Sequence, residues 1–296
     1  MIISKLISGL GNQLFQYTIG RHLSLTHQVP LKLDLSFFKD QKLRSYKLDH
    51  YNIQAETATE QDVESLTAIY QRKSLYAKIY RKVEKWRPKN KRLYYKEDEW
   101  WIYEPGLLQA SSPVYLNGYW QHYKYFENID PRIREELTLK ENELADAPAI
   151  VGEILGNESS VSLHVRRGDY ITDRDAYNFM GVMPLAYYHQ AINYIIAKGI
   201  KPSFYVFSDD LDWVKDNIQV NAPLTCVDLH GGQKDYVELD LMSKCRHNII
   251  ANSSFSWWGA FLNQNPGKIV IAPAQWVKPE DVNRKIELVF PTWTKI

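Results

Sequence analysis

Several short segments bring together residue types that hold a phosphorylated ligand. In His164-Val165-Arg166-Arg167-Gly168-Asp169-Tyr170, two arginines directly follow a strand-like run that ends at His164-Val165. Guanidinium groups stay charged and present a fork of donors matched to phosphate oxygens, so Arg166 and Arg167 suit a diphosphate. An Arg–Asp ion pair closing a loop is the alternative. An Arg-Gly-Asp adhesion string is a third reading, disfavoured by the preceding strand. Asn252-Ser253-Ser254 puts small hydroxyl residues ahead of a helix-period run. Ser253 and Ser254 serve as helix caps or, through hydroxyl, backbone N–H and dipole, as anion ligands. Asp240, in the preceding helix-period segment, can accept two N–H donors from a guanine edge or stand as a surface charge. Asp209, in Phe207-Ser208-Asp209-Asp210, binds ribose hydroxyls or caps a helix.

Ser8-Gly9-Leu10-Gly11-Asn12 lies between a strand-like and a helix-like run, where glycines allow a sharp turn and close backbone approach. Gly9, Gly11 and Asn12 are candidate contacts to a nucleotide sugar. Asp34 ends the next strand, but Leu14 occupies the third glycine position of a dinucleotide fingerprint, which disfavours NAD. A purely structural turn stays open.

Strand-helix alternation must position these groups. Strands are predicted at 1–7, 31–35, 114–119, 160–165, 203–207, 224–228, 247–251 and 268–272. Helices are predicted at 12–27, 184–198, 210–218, 235–245 and 255–264. This α/β pattern implies parallel sheets covered by helices. An acidic, Ala- and Gly-containing stretch over 140–158, part of it helical, divides the chain into domains 1–155 and 156–296. Trp257 and Trp258 read as core. The 296 residues carry 36 basic and 35 acidic side chains, so no global field favours nucleic acid as a partner. Composition says nothing of oligomeric state. Cys226 and Cys245 form no CxxC pair and read as buried thiols of a reducing compartment. The N-terminus lacks signal-peptide character, and no apolar run spans a bilayer. The expected location is the cytoplasm.

His164–Tyr170, Gly9–Tyr17, Asn252–Asn263 and, less extensively, Gly118–Phe126 together resemble the bacterial α-1,2-fucosyltransferases of glycosyltransferase family 11. The likeness runs from Gly9 to about Leu262 and is weakest over 40–110. It implies a GT-B-like pair of Rossmann-type α/β domains with a cleft between them. The C-terminal domain would hold GDP-fucose and the N-terminal domain a β-galactoside acceptor, with Tyr119, Trp120 and Tyr123 as stacking surfaces. The resemblance implies that Arg166 grips the diphosphate, that His164 lies near the nucleotide, and that Arg167 supports it, oriented by Asp169. It makes Asp240 the guanine reader and lines the phosphate site with Ser253, Ser254 and Phe255. His122 stands where a small polar residue is expected. The implied reaction is inverting and calls for a base, with Asp34, His122 and Asp169 as candidates. Asp173-Arg174-Asp175 fits a metal-binding string, but paired arginines and a helix N-terminus do the same work, so no metal or other cofactor is expected. A non-catalytic glycan-binding protein is the rival class; a neutral sugar has no use for paired arginines.

Residues 72–96 carry eleven Lys/Arg and one acid, Glu84. Leu75, Ile79, Val83 and Trp86 recur at helical spacing within this run, which reads as a basic amphipathic helix. It is either a solvated face or a peripheral contact with anionic lipid at the inner membrane.

Overall fold

The computed structural model describes residues 1–41, 43–145, 147–229 and 233–296. The chain divides into two compact units, Met1–Thr138 and Leu139–Ile296. This division precedes the expected 155/156 boundary because the helix Pro148–Gly156 is tied into the second unit. Glu153 accepts from the Tyr205 hydroxyl at 3.0 Å, and Asn157 Nδ2 donates to the same hydroxyl at 3.3 Å.

The first unit contains β1 (Ile2–Lys5), α1 (Leu10–His27), β2 (Leu31–Asp34), β3 (Glu56–Thr57), α2 (Glu60–Gln71), α3 (Leu75–Glu84), β4 (Tyr94–Lys96), β5 (Val114–Asn117) and α4 (Asp130–Glu136). Its strands pair in parallel in the order β3-β2-β1-β5-β4 among the described residues. Ile2 and Ile3 have no exposed surface, as an unalternating apolar run covered on both sheet faces requires. On α1, Leu14, Phe15, Ile19 and Leu23 are fully buried as the spacing predicts. A Cβ on Gly20 would lie 2.7 Å from Leu31 Cδ1, so the glycine for close helix–strand contact stands there rather than at position 14.

The second unit contains α5 (Pro148–Gly156), β6 (Ser160–Val165), α6 (Gly168–Thr172), α7 (Arg174–Phe179), α8 (Leu185–Ala197), β7 (Ser203–Ser208), α9 (Leu211–Asn217), β8 (Leu224–Val227), α10 (Asp235–Lys244), β9 (His247–Ile249), α11 (Ser254–Leu262), β10 (Val270–Ala272), α12 (Glu280–Asn283) and β11 (Thr294–Lys295). These strands also pair in parallel, in the order β11-β10-β9-β6-β7-β8. The chain steps outward from β6 to β8 and then returns to the other side of β6. That reversal places the topological switch point of the sheet between β6 and β9. Beneath it, Leu163, Val165, Ile192, Ile195, Val206 and Ile249 form a contiguous core. Trp257 and Trp258 are fully buried, and the Trp257 indole donates to the Leu288 carbonyl at 2.8 Å.

The basic run is shorter as a helix than its periodicity predicts. Within it α3 covers only Leu75–Glu84, started by Ser74, whose hydroxyl accepts from the Ala77 N–H at 3.2 Å. Pro88 lacks the N–H that would continue the helix, and the chain goes on to strand β4.

Candidate functional site

The end of β6 carries a cluster of cations and carboxylates. Arg166 Nη1 lies 2.7 Å from Asp209 Oδ2, and its Nη2 2.5 Å from Asp169 Oδ1. Arg167 Nε lies 2.9 Å from Asp210 Oδ2, with its guanidinium 4.1 Å from the Trp213 ring centre. Asp169 therefore orients Arg166, not Arg167 as expected; Asp210 holds Arg167. Asp209 was expected at the ribose, but its second oxygen accepts the Arg167 N–H at 2.8 Å, so both oxygens fix the arginine loop. A Cβ on Gly168 would come 2.6 Å from Asp209 Oδ2, which explains a glycine between the arginines and Asp169. The arginine side chains keep 21% and 17% of their surface.

His164, one turn of the pleat before Arg166, is buried. Burial and the Arg166 charge pull its imidazole down to about 3, so the ring is neutral at pH 7. Its Nδ1 has no hydrogen-bond partner among the described residues. The ring lies 5.6 Å from that of Phe255 in α11. Ser253 caps α11, its hydroxyl accepting from the Phe255 N–H at 3.3 Å. Tyr170 of α6 donates to the Asn252 carbonyl at 3.2 Å, so the loops after β6 and β9 are joined. Asn252 Nδ2 in turn donates to the Met180, Gly181 and Trp276 carbonyls at 3.1, 3.2 and 3.1 Å. His164, Arg166, Ser253, Ser254 and Phe255 thus belong to one rim of one sheet. The helix N-terminus and the cations together form a surface suited to a multiply charged anion.

Two acids on α10 divide differently from the sequence reading. Asp240 lies 3.0 Å from Lys244 Nζ, and burial pushes its carboxyl up against that cation. Glu238 lies within the field of Asp235, Asp228 and Asp209, and burial first, then those charges, push it up to about 8. Glu238 is the residue that sequence reasoning missed. The string Glu238-Leu239-Asp240 offered two carboxylates two positions apart, and only packing separates the lysine-paired one from the one sharing the Asp209 environment. Asp173 Oδ1 accepts from the Asp175 and Ala176 N–H groups at 2.8 and 3.0 Å, which makes Asp173-Arg174-Asp175 the start of α7.

In the first unit, polar side chains bind the loops to each other. Ser8, not Gly9, adopts the left-handed backbone with φ 69°; Gly9 has extended φ and ψ and caps α1. Asn12 Nδ2 donates to Ser8 Oγ at 2.9 Å, while Asn12 Oδ1 accepts from Gln121 at 2.5 Å. Buried Gln16 accepts the Ile7 N–H at 2.9 Å and donates to the Gly118 carbonyl at 3.1 Å. Gln13 donates to the Ser8 and Ser45 carbonyls at 3.1 and 2.9 Å. Gly11 is buried within α1.

Asp34 is 3% exposed; it accepts from the Tyr115 hydroxyl at 2.5 Å and the Ser36 N–H at 2.9 Å, an arrangement that fixes loops. His122, also 3% exposed, caps a short 3-10 turn by accepting the Lys124 N–H at 3.2 Å among Tyr103, Tyr123 and Tyr125. Trp120 was expected to stack on a sugar, but it is fully buried, edge-on to Tyr95 and Tyr125. Its N–H and that of Tyr119 donate to Glu97 at 2.9 and 2.6 Å. Glu97 is a second residue missed from sequence. Burial pushes its carboxyl up to about 7, and a Cβ on Gly118 would lie 2.4 Å from its own Cβ.

Comparison with known proteins places the chain among glycosyltransferases. The family model described as Glycosyl transferase family 11 matches residues 3–296. The α-1,2-colitosyltransferase of Escherichia coli is 32% identical over 96% of this chain and 94% of its own length. The O-antigen biosynthesis glycosyltransferase WbnK, also of Escherichia coli, is 33% identical over 99% of each. A human galactoside α-(1,2)-fucosyltransferase is 28% identical over 61% of this chain and 52% of its own. In fold, the chain resembles the α-1,6-fucosyltransferase NodZ co-crystallised with GDP, the same enzyme whose structure is known from Bradyrhizobium. That match has a TM-score of 0.54 at 14% identity, covering 87% of this chain and 90% of the other.

Proposed function

The chain belongs to glycosyltransferase family 11, and we propose that it transfers L-fucose from GDP-β-L-fucose to O2 of a terminal β-galactoside, forming an α-1,2 linkage. The observation that carries this reading is the rim of the second sheet. There Arg166, held at 2.7 Å by Asp209, shares the joined β6 and β9 loops with the Ser253-capped start of α11. The C-terminal unit holds GDP in this proposal, with the diphosphate against Arg166, Arg167, Ser253 and Ser254, and His164 and Phe255 beneath. Asp240, or Glu238 two positions before it on α10, reads the nucleoside in this proposal.

Inversion takes one displacement. Galactose O2 bonds to fucose C1 as the bond from C1 to the β-phosphate oxygen breaks, and that bond's electron pair leaves on GDP. Arg166 and the α11 N–H groups stabilise the growing phosphate charge without a metal. The O2 proton passes to a base or to water. Asp34 and His122 are buried, whereas Asp169, although paired with Arg166, keeps 40% of its side-chain surface and remains the base candidate.

A colitose donor is the second reading, favoured by the 32% identity to a colitosyltransferase. Colitose is fucose without its 3-hydroxyl, and a site built to bond that hydroxyl discriminates strongly against its absence. The test is incubation with GDP-fucose or GDP-colitose and a panel of lactose, type 1 and type 2 disaccharides. The expected product gains one deoxyhexose, linked α-1,2 by NMR. GDP binding without transfer to any β-galactoside would contradict the proposed acceptor; absence of GDP binding would contradict the donor site.

A further inference from the structure

The apolar row of α3 faces away from the first unit. Leu75 is 74% exposed, Ile79 54%, Val83 60% and Trp86, just beyond the helix, 86%. Their spacing sets Leu75, Ile79 and Val83 in one line along the helix. The opposite side holds α3 to the protein. Ala77 and Glu84 are buried, the Tyr70 hydroxyl donates to the Glu84 carboxylate, and Arg81 donates to the Ile69, Tyr70 and Arg72 carbonyls at 3.2, 2.9 and 2.9 Å. A surface helix ordinarily turns its large apolar side chains inward. Here Lys78, Lys82 and Lys85 border the outward row by helical periodicity, and Arg72, Lys73, Arg87 and Lys91 are exposed around its ends. Among the described residues Lys78, Lys82 and Lys85 make no ion pair.

We propose that this face docks on an anionic lipid bilayer, with Leu75, Ile79, Val83 and Trp86 at the acyl boundary and the lysines against headgroup phosphates. Charge and apolar surface select this occupant together. A second copy docking through the same face would bring cations against cations. A nucleic acid would engage the lysines and leave the aliphatic row in water. An anionic bilayer satisfies both. No helix among the described residues is long and apolar enough to cross a membrane, so α3 lies along the interface. This inference does not depend on the donor or acceptor.

Sedimentation of the full chain with phosphatidylglycerol/phosphatidylcholine vesicles, and with phosphatidylcholine alone, tests it. Binding is expected only to the anionic vesicles, weakening with salt, with a blue shift of emission that Trp86→Phe removes. Combining Lys78→Gln, Lys82→Gln and Lys85→Gln is expected to lower partitioning by about 100-fold, roughly 5-fold per lysine. Combining Leu75→Ser with Ile79→Ser is expected to abolish binding. These side chains are exposed, so unchanged Tm and GDP binding separate lost docking from misfolding. No binding to anionic vesicles at physiological salt overturns the proposal. So does equal binding to neutral vesicles, or self-association or RNA binding in place of lipid binding.

Discussion

The two sheet rims solve opposite problems with similar residues. In the first unit, Gln13, Gln16, Asp34 and Glu97 are buried and their polar atoms bind backbone and side chains of neighbouring loops. In the second, Arg166 and Arg167 are held by Asp169, Asp209 and Asp210, yet their side chains keep 21% and 17% of their surface. Polar content at the end of a strand therefore does not define a ligand site. A pair of partly exposed arginines on the same rim as a helix N-terminus does, because both favour an anion.

Substitutions on each rim test this contrast. Arg166→Ala should lower kcat on the order of 10²–10³ while Tm changes little, and EDTA should leave the wild-type rate unchanged. Steady-state kinetics checks both; a strict Mn²⁺ requirement would transfer the leaving-group role from the arginines to a metal. Gly168→Ala should destabilise by about 1–3 kcal/mol, because its Cβ meets Asp209 Oδ2 at 2.6 Å. Denaturant unfolding should show that loss together with reduced turnover, since Asp209 also holds Arg166. On the first rim, Tyr115→Phe removes a buried donor to Asp34 and should cost about 1–3 kcal/mol. Its kcat should stay near wild type, which distinguishes a loop anchor from a catalytic base.

Glu97→Gln turns one of the two oxygens that accept the Tyr119 and Trp120 N–H groups into an NH2 donor, so it should cost about 1–3 kcal/mol and, in addition, change how stability varies with pH. Glu97 rises from its ordinary 4.5 to about 7 on folding. The unfolded chain therefore releases this proton first. The stability that Glu97 contributes is present below pH 4.5 and declines as pH rises through about 7. The glutamine variant should lack this component in a Tm-against-pH series.

Much of the second rim was legible because Ser160–Val165 alternates polar and apolar residues with the period of a strand, so the arginines after it fall at the strand end; the burial of both its faces was not legible in that pattern. The first rim was less legible for a physical reason. Trp120, Asn12 and Asp34 have the residue types of a sugar site, and only packing shows Trp120 inside the core and Asp34 bonded to Tyr115. Periodicity fixed the row on α3 but carried no sign for inward or outward. The separation of Glu238 from Asp240 likewise depends on long-range neighbours, Asp209 for one and Lys244 for the other.

Calorimetric titration of GDP, GMP and guanosine into wild type and Arg166→Ala addresses the second rim most directly. GDP should bind wild type far more tightly than guanosine, and most of that advantage should vanish in the variant. Equal GDP affinity in both proteins would contradict a diphosphate held at the end of β6.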